Sequence, residues 1–175
     1  MVDDDLLTGD RIRALLNMLG DELARRGESG ELFVVGGAAM ALGYNAREAT
    51  RDIDAVFEPK AVIYDAAARM AELESLQPDW LNDAMKGFLH GADPDQRTVI
   101  EHPALRVSVA SPRYLLAMKL LSARIERDAD DIALLLELAD ITEVDEALDV
   151  VESAYGTDKI AVKTRLLVET ILTGA

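Results

Sequence analysis

One stretch constrains this chain more than any other: Val34 to Phe57, VVGGAAMALGYNAREATRDIDAVF. An apolar run ends in a glycine pair, a short helical patch follows, and two aspartates flank one isoleucine inside what reads as a buried strand, 51–58. Side chains i and i+2 of a strand share a face, so Asp52 and Asp54 are expected side by side, with Ile53 turned into the core. Two like charges on one face repel. A solvated acidic edge that discourages strand pairing is one account of them. The other is a divalent cation between them. Mg²⁺ suits hard oxygen ligands and binds through substrate phosphates, and two such ions would serve an in-line phosphoryl-type displacement.

Gly36 and Gly37 close the strand at 31–35 and precede a helix. Backbone N–H groups and a helix N-terminus can hold phosphate at such a place, with no Cβ to block approach. The pattern is neither a P-loop nor a dinucleotide fingerprint. A bare glycine pair is most simply a turn. Followed 15 residues later by Asp-Ile-Asp on a second strand, it is a more specific combination: one element can cradle a triphosphate and the other can carry its metal.

Composition narrows the field. The chain has 175 residues and no cysteine, which removes disulfides, thiolate zinc sites and cysteine nucleophiles. Its net charge of −15 argues against sequence-blind nucleic-acid binding. Residues 1–127 hold 21 acids and 15 bases, residues 128–175 hold 12 acids and 3 bases, so a local basic groove is compatible only with the first part. The opening MVDDDLLTGD carries no signal pattern, and no apolar run approaches the roughly 18 residues of a membrane span. A soluble, cytoplasmic protein is expected, with no membrane partner.

Helical spacing marks 10–26, closed by Gly27 and Gly30, and 60–74, through Ala61, Ile63, Ala67, Met70 and Leu73. A shorter helix is expected at 79–88, with Trp80 as a packing anchor, and two strand fragments at 97–101 and 105–109 around Pro103. From residue 111 the pattern is helical. Ser111 is expected to cap a helix starting at Pro112, Asp128 to cap the next, and Thr142 and Gly156 to bound a third. The last helix is expected from Thr157 onward, over a core of Leu148, Val151, Leu166, Leu167 and Ile171. The expected fold is α+β: a small mixed sheet flanked by helices over residues 1–110, with a helical segment, 111–175, packed on it as one compact unit. His90 and His102 have no ligand-like spacing and read as loop histidines.

Lys119 lies in the apolar stretch YLLAMKLLSA. Such a lysine either snorkels to water or faces a site where its ammonium neutralises developing phosphate charge. Asp128, Asp130 and Asp131 crowd a helix start, where capping alone explains carboxylates well.

Taken together, VVGGAAMALGY, ATRDIDAVFE, DWLNDAMKGF and SPRYLLAMKLLSARIERDADDI resemble the nucleotidyltransferase superfamily with the polymerase β-type fold, and within it the AbiEii/MenT-like toxin branch. The resemblance spans roughly residues 30–135. It implies transfer of a nucleoside monophosphate from an NTP with pyrophosphate leaving. By position it implies Gly36 and Gly37 as phosphate-binding glycines, Asp52 and Asp54 as Mg²⁺ ligands, Thr50 near the γ-phosphate, and Lys119 on the nucleotide phosphates. Asp131 matches the acid of an R-D-x-x-D segment, here RDADD. Arg47 and Arg51 flank the motif loop and would grip phosphate or an RNA end, unless they are solvated surface arginines; Arg51 joins Thr50 in the expected nucleotide-binding set. Asn82 also stands within expected reach. One departure is a third carboxylate, which many such enzymes carry on a neighbouring strand: LRVSVAS has none, and Glu101 matches poorly.

Three functions follow. The first is a toxin of a toxin–antitoxin pair that modifies RNA, such as a tRNA 3′ end, and has a cognate antitoxin as partner. The second is an antibiotic nucleotidyltransferase of the aminoglycoside type. The third is a degenerate module that binds a nucleotide or a partner without catalysis.

Overall fold

The computed structural model describes residues 6–47, 49–122, 124–156 and 160–174. The chain divides into two compact units, Met1–Gly87 with Asp95–Ala110 and Phe88–Pro94 with Ser111–Ala175. The fold is α+β, a small mixed sheet flanked by helices and followed by further helices.

In the first unit a short strand β1 (Leu7–Thr8) leads into helix α1 (Gly9–Arg25), whose Thr8 hydroxyl accepts from the Arg11 N–H at 3.2 Å. Ile12, Leu15, Leu16, Leu19 and Leu23 are all buried along one face of α1. Gly27, at φ +67, follows the helix end, whereas Gly30 already begins strand β2 (Gly30–Val34). Helix α2 (Gly36–Tyr44) includes both glycines of the pair in its first turn rather than following them. Strand β3 (Ala49–Thr50) pairs antiparallel with β1.

Strand β4 (Ile53–Glu58) begins two residues later than the alternation suggests. Asp52 therefore sits in the bend before the strand, not on its face. Within β4 the period of two is clear: Ile53, Ala55 and Phe57 are buried, and Asp54 and Val56 are half-buried. Helix α3 (Lys60–Glu74) has the expected bounds and buries Ile63, Ala67 and Met70, with Ala66 in place of Ala61. Leu73 is 56% exposed.

The helix expected at 79–88 does not form. Instead Leu81–Asn82 make a two-residue edge strand, β5, parallel to β4, and a 3-10 turn covers Ala84–Phe88. Burial decides this: Trp80 is 1% exposed and its indole N–H donates to the Ala67 carbonyl at 3.0 Å, while the Ile53 N–H donates to the Trp80 carbonyl at 2.7 Å. Strands β6 (Arg97–His102) and β7 (Leu105–Val109) form an antiparallel hairpin across Pro103. The sheet order is β5-β4-β2-β7-β6, with β2 antiparallel to β4 and parallel to β7.

The second unit is helical: α4 (Pro112–Ser122), α5 (Ile125–Leu138), α6 (Val144–Tyr155) and α7 (Val162–Thr173). Ser111 caps α4, its hydroxyl accepting from the Tyr114 N–H at 3.3 Å. Asp128 does not cap α5. It is the fourth residue of that helix, whose cap position is Arg124, and its carboxylate reaches back to the Arg124 N–H at 2.9 Å. The cap position of α6 is Glu143 rather than Thr142, and Gly156 ends that helix. The expected start of the last helix at 157–159 lies outside the described residues. Leu148, Val151 and Leu167 are buried as expected, but Leu166 is 56% exposed and Ile171 half-buried. His90 stacks on Tyr114 with ring centroids 3.9 Å apart, and both belong to this unit. No helix among the described residues is long and apolar enough to cross a membrane.

Candidate functional site

Where β2 hands over to α2, the backbone turns sharply. Gly36 has φ +62, a left-handed conformation that costs glycine little. The adjoining Val35 N–H donates to the Asp54 carbonyl at 2.9 Å, locking this turn to β4. A Cβ built on Gly36 would lie 3.5 Å from Asp54 Oδ2. On Gly37 it would lie 2.7 Å from Arg47 Nη1 and 3.2 Å from Thr50 Oγ1. The two glycines thus bring the first turn of α2 against a carboxylate on one side and a guanidinium and a hydroxyl on the other.

Asp52 joins this corner from the bend before β4. The Asn82 amide donates to Asp52 Oδ2 at 3.0 Å, and the Ala84 N–H donates to Asn82 Oδ1 at 3.0 Å, which fixes the amide's orientation. The next residue, Asp83, ties this edge to α3 through Lys60 and through the Tyr64 hydroxyl at 2.7 Å. The Lys60 hydrogen bond first, and then that of Tyr64, hold the Asp83 carboxyl well below the usual carboxylate range. Asp54 behaves in the opposite way. Burial first, and the charge of Asp52 second, push its carboxyl up to about 6.

Gly36, Gly37, Thr50, Asp52 and Asp54 are therefore brought together. Arg51 is exposed at the bend, while Arg47 is the arginine that lies over Gly37. Asn82, weighed in the sequence on position alone, is the residue that orients Asp52. Its signal was the parallel pairing Asp54↔Asn82, which no helical reading of 79–88 contains. On the sheet, β7 carries no carboxylate, and its Ser108 lies in register with Phe33 of β2. Glu101 pairs with Arg106 in the row two residues removed.

Lys119 and Asp131 belong to the second unit, where they form a cluster with Asp128. Lys119 Nζ lies 2.8 Å from Asp128 Oδ1 and 2.9 Å from Asp131 Oδ2. Burial alone would raise the Asp128 carboxyl. The hydrogen bonds from Lys119 and the Arg124 N–H, with the charges of Lys119 and Arg127, outweigh it and hold the group below its ordinary value.

Among the described residues no three of His, Asp and Glu stand close enough to hold a metal ion. A pair of carboxylates is nonetheless the set Mg²⁺ takes when substrate phosphates and waters complete its shell. Asp52 keeps Oδ1 outside its hydrogen bond to Asn82, and the repulsion that raises Asp54 is what a divalent cation would relieve. The residues present fit the ion.

A mixed sheet with a glycine-opened helix set against a neighbouring Asp-x-Asp defines a nucleotidyltransferase-like architecture. The chain belongs to the family described as nucleotidyltransferase of unknown function (DUF6036), whose sequence profile matches residues 11–161. No curated protein and no solved structure matches the chain.

Proposed function

We propose that this protein is a Mg²⁺-dependent nucleotidyltransferase that moves a nucleoside monophosphate from an NTP to an acceptor, releasing pyrophosphate. The observation that carries the reading is the corner at Gly36, where the first turn of α2 opens without a side chain and a Cβ would lie 3.5 Å from Asp54 Oδ2. Asp52 and Asp54 would hold the ion, one or two in number, which supplies charge neutralisation at the transferring phosphate. The Gly36 and Gly37 N–H groups bind phosphate oxygens, and the Thr50 hydroxyl donates beside them. Asn82 keeps Asp52 in place. Lys119 is assigned to phosphate charge and Asp131 to the acceptor hydroxyl, roles that require their ion pair to open.

The acceptor we assign is RNA, with a tRNA 3′ end as the leading candidate, and the biological role that of a toxin restrained by a cognate antitoxin. Both rest on the sequence resemblance over 111–135. One observation favours a second acceptor class. A depression of about 370 Å³ on the sheet is lined by Phe33, Val56 and Ser108, with Glu31 and Glu58 against a single base, Arg106. Glu31 and Glu58 sit directly opposite each other across β2 and β4. Such a surface favours an amine-bearing acceptor of the aminoglycoside type over a phosphodiester.

Incubation with Mg²⁺ and each α-labelled NTP, against total tRNA, aminoglycosides and no acceptor, separates these readings. Label on RNA is the expected result and label on the drug selects the second acceptor class. NTP binding without any transfer marks a non-catalytic nucleotide-binding module, and absence of NTP binding defeats the proposal.

A further inference from the structure

Resting on the nucleotidyl-transfer reading, we propose that Arg47, rather than Arg51, is the residue that grips the β- and γ-phosphates of the incoming NTP. The chain path brings it there. Helix α2 ends at Tyr44, Asn45 turns back in the left-handed conformation at φ 50, and the returning loop lays the Arg47 guanidinium over the helix's own first turn. The loop's far end is held by β3, where Thr50 pairs with Leu7. The position at Gly37 has room for the guanidinium because it has no side chain: a Cβ there would meet Nη1 at 2.7 Å and Cζ at 3.3 Å.

The Arg47 guanidinium, the Thr50 hydroxyl and the N-terminal end of α2, which carries partial positive charge, converge on one place, and a phosphate is the kind of anion such a place attracts. The guanidinium fork matches two oxygens of a phosphate. The corner is also polarised: a carboxylate at Gly36, a guanidinium and a hydroxyl at Gly37. A triphosphate laid along the turn, with its metal-binding oxygens toward Asp52 and Asp54, has its distal phosphates at Arg47 and Thr50. In the transfer, the acceptor oxygen forms a bond to the α-phosphorus and the bond from that phosphorus to the bridging oxygen breaks. The electron pair leaves with pyrophosphate, and the acceptor proton passes to solvent or to a carboxylate. Arg47 offsets the charge that gathers on the departing pyrophosphate.

The test compares binding of each NTP, in the presence of Mg²⁺, with binding of the corresponding NMP by equilibrium dialysis. Arg47→Gln is expected to weaken NTP binding by about tenfold or more and to leave NMP binding within about twofold, as loss of a charge-assisted phosphate contact requires. Arg47→Lys, which keeps the charge and loses the fork, is expected to fall between. Arg69→Gln, on the exposed side of α3, is the charge control and is expected to match wild type. Equal NTP affinity in wild type and Arg47→Gln overturns the assignment. Equal losses for NTP and NMP also overturn it, because they mark a role in holding the loop. If Arg47→Gln does not fold, the Arg47→Lys comparison decides by the same two criteria. A wild type that binds no NTP overturns the nucleotidyl-transfer reading along with it, and so is distinct from a failure of Arg47 alone.

Discussion

Two clusters of charge in this protein solve opposite problems. In the first unit Asp52 and Asp54 stand together, and burial with mutual repulsion pushes Asp54 up to about 6. In the second, Lys119 lies within 2.9 Å of both Asp128 and Asp131, and Asp128 is held below its ordinary value. In the second cluster a base stands against both carboxylates, and its hydrogen bond and charge outweigh burial at Asp128. In the first, burial and the charge of Asp52 prevail at Asp54, and Asn82, a neutral donor, contacts Asp52. A carboxyl raised in this way supports placing the ligand-binding end of the proposed reaction at the aspartate corner, and Lys119 and Asp131 are the residues whose roles most need testing.

The largest expected effect separates the clusters by activity. Asp52→Asn should lower transfer of labelled nucleotide by about a thousandfold or more, the scale of losing a group that stabilises transition-state charge, while the melting temperature stays close to wild type. Lys119→Met should instead leave two carboxylates facing each other in a part-buried site, costing about 1–3 kcal/mol of stability, read by denaturant titration. If Lys119→Met is as stable as wild type and transfers nucleotide equally well, both the weight given to its ion pairs and its assignment to phosphate charge fail.

The pH response sharpens the comparison further because the signs differ. The Asp54 carboxyl is raised in the folded protein, so it favours folding at low pH, and that contribution is lost as pH rises through about 6. Metal-free protein should therefore lose stability through this group from about pH 4 to about pH 6 and level off above that, with Mg²⁺ restoring more at the upper end than at the lower. Asp54→Asn should flatten the trend and raise the metal-free melting temperature near neutrality. Asp128 is depressed, so its contribution is present above the ordinary carboxylate value and is lost as pH falls through its folded value. Asp128→Asn should remove part of the acid-side loss and none of the fall through Asp54. The smallest expected effect is at Asn82. Replacing it by Ala should cost about 1 kcal/mol for one hydrogen bond to a carboxylate and reduce transfer by about tenfold, with the pH trend of the aspartate corner still present.

The alternation in β4 was readable because Ile53, Ala55 and Phe57 obey a period of two and bury accordingly. Helix α3 was readable from its spacing, down to its bounds. Two misreadings share a cause, a long-range partner that local pattern does not contain. Residues 79–88 look helical, but Trp80 reaches the Ala67 carbonyl and Asn82 pairs with Asp54. Asp128 looks like an N-cap, yet Lys119 and the Arg124 N–H draw it into the helix body. The clustering of Gly36, Gly37, Thr50, Asp52 and Asp54 follows from their closeness in sequence and the β2–β4 pairing. The choice of Arg47 over Arg51 depended on the fold of one loop and was not legible in REATRDID.

Segment 88–94 belongs to the helical unit although the chain on both sides of it belongs to the sheet unit. Asp93, 4% exposed, accepts from the Ser111 N–H at 2.6 Å and from its hydroxyl at 2.9 Å. The polypeptide therefore passes between the units three times, and neither is a contiguous cassette. A gene truncated after codon 110 would encode a fragment whose Asp93 lacks the two hydrogen bonds from Ser111. Moving either unit into another protein would demand cuts at several places at once.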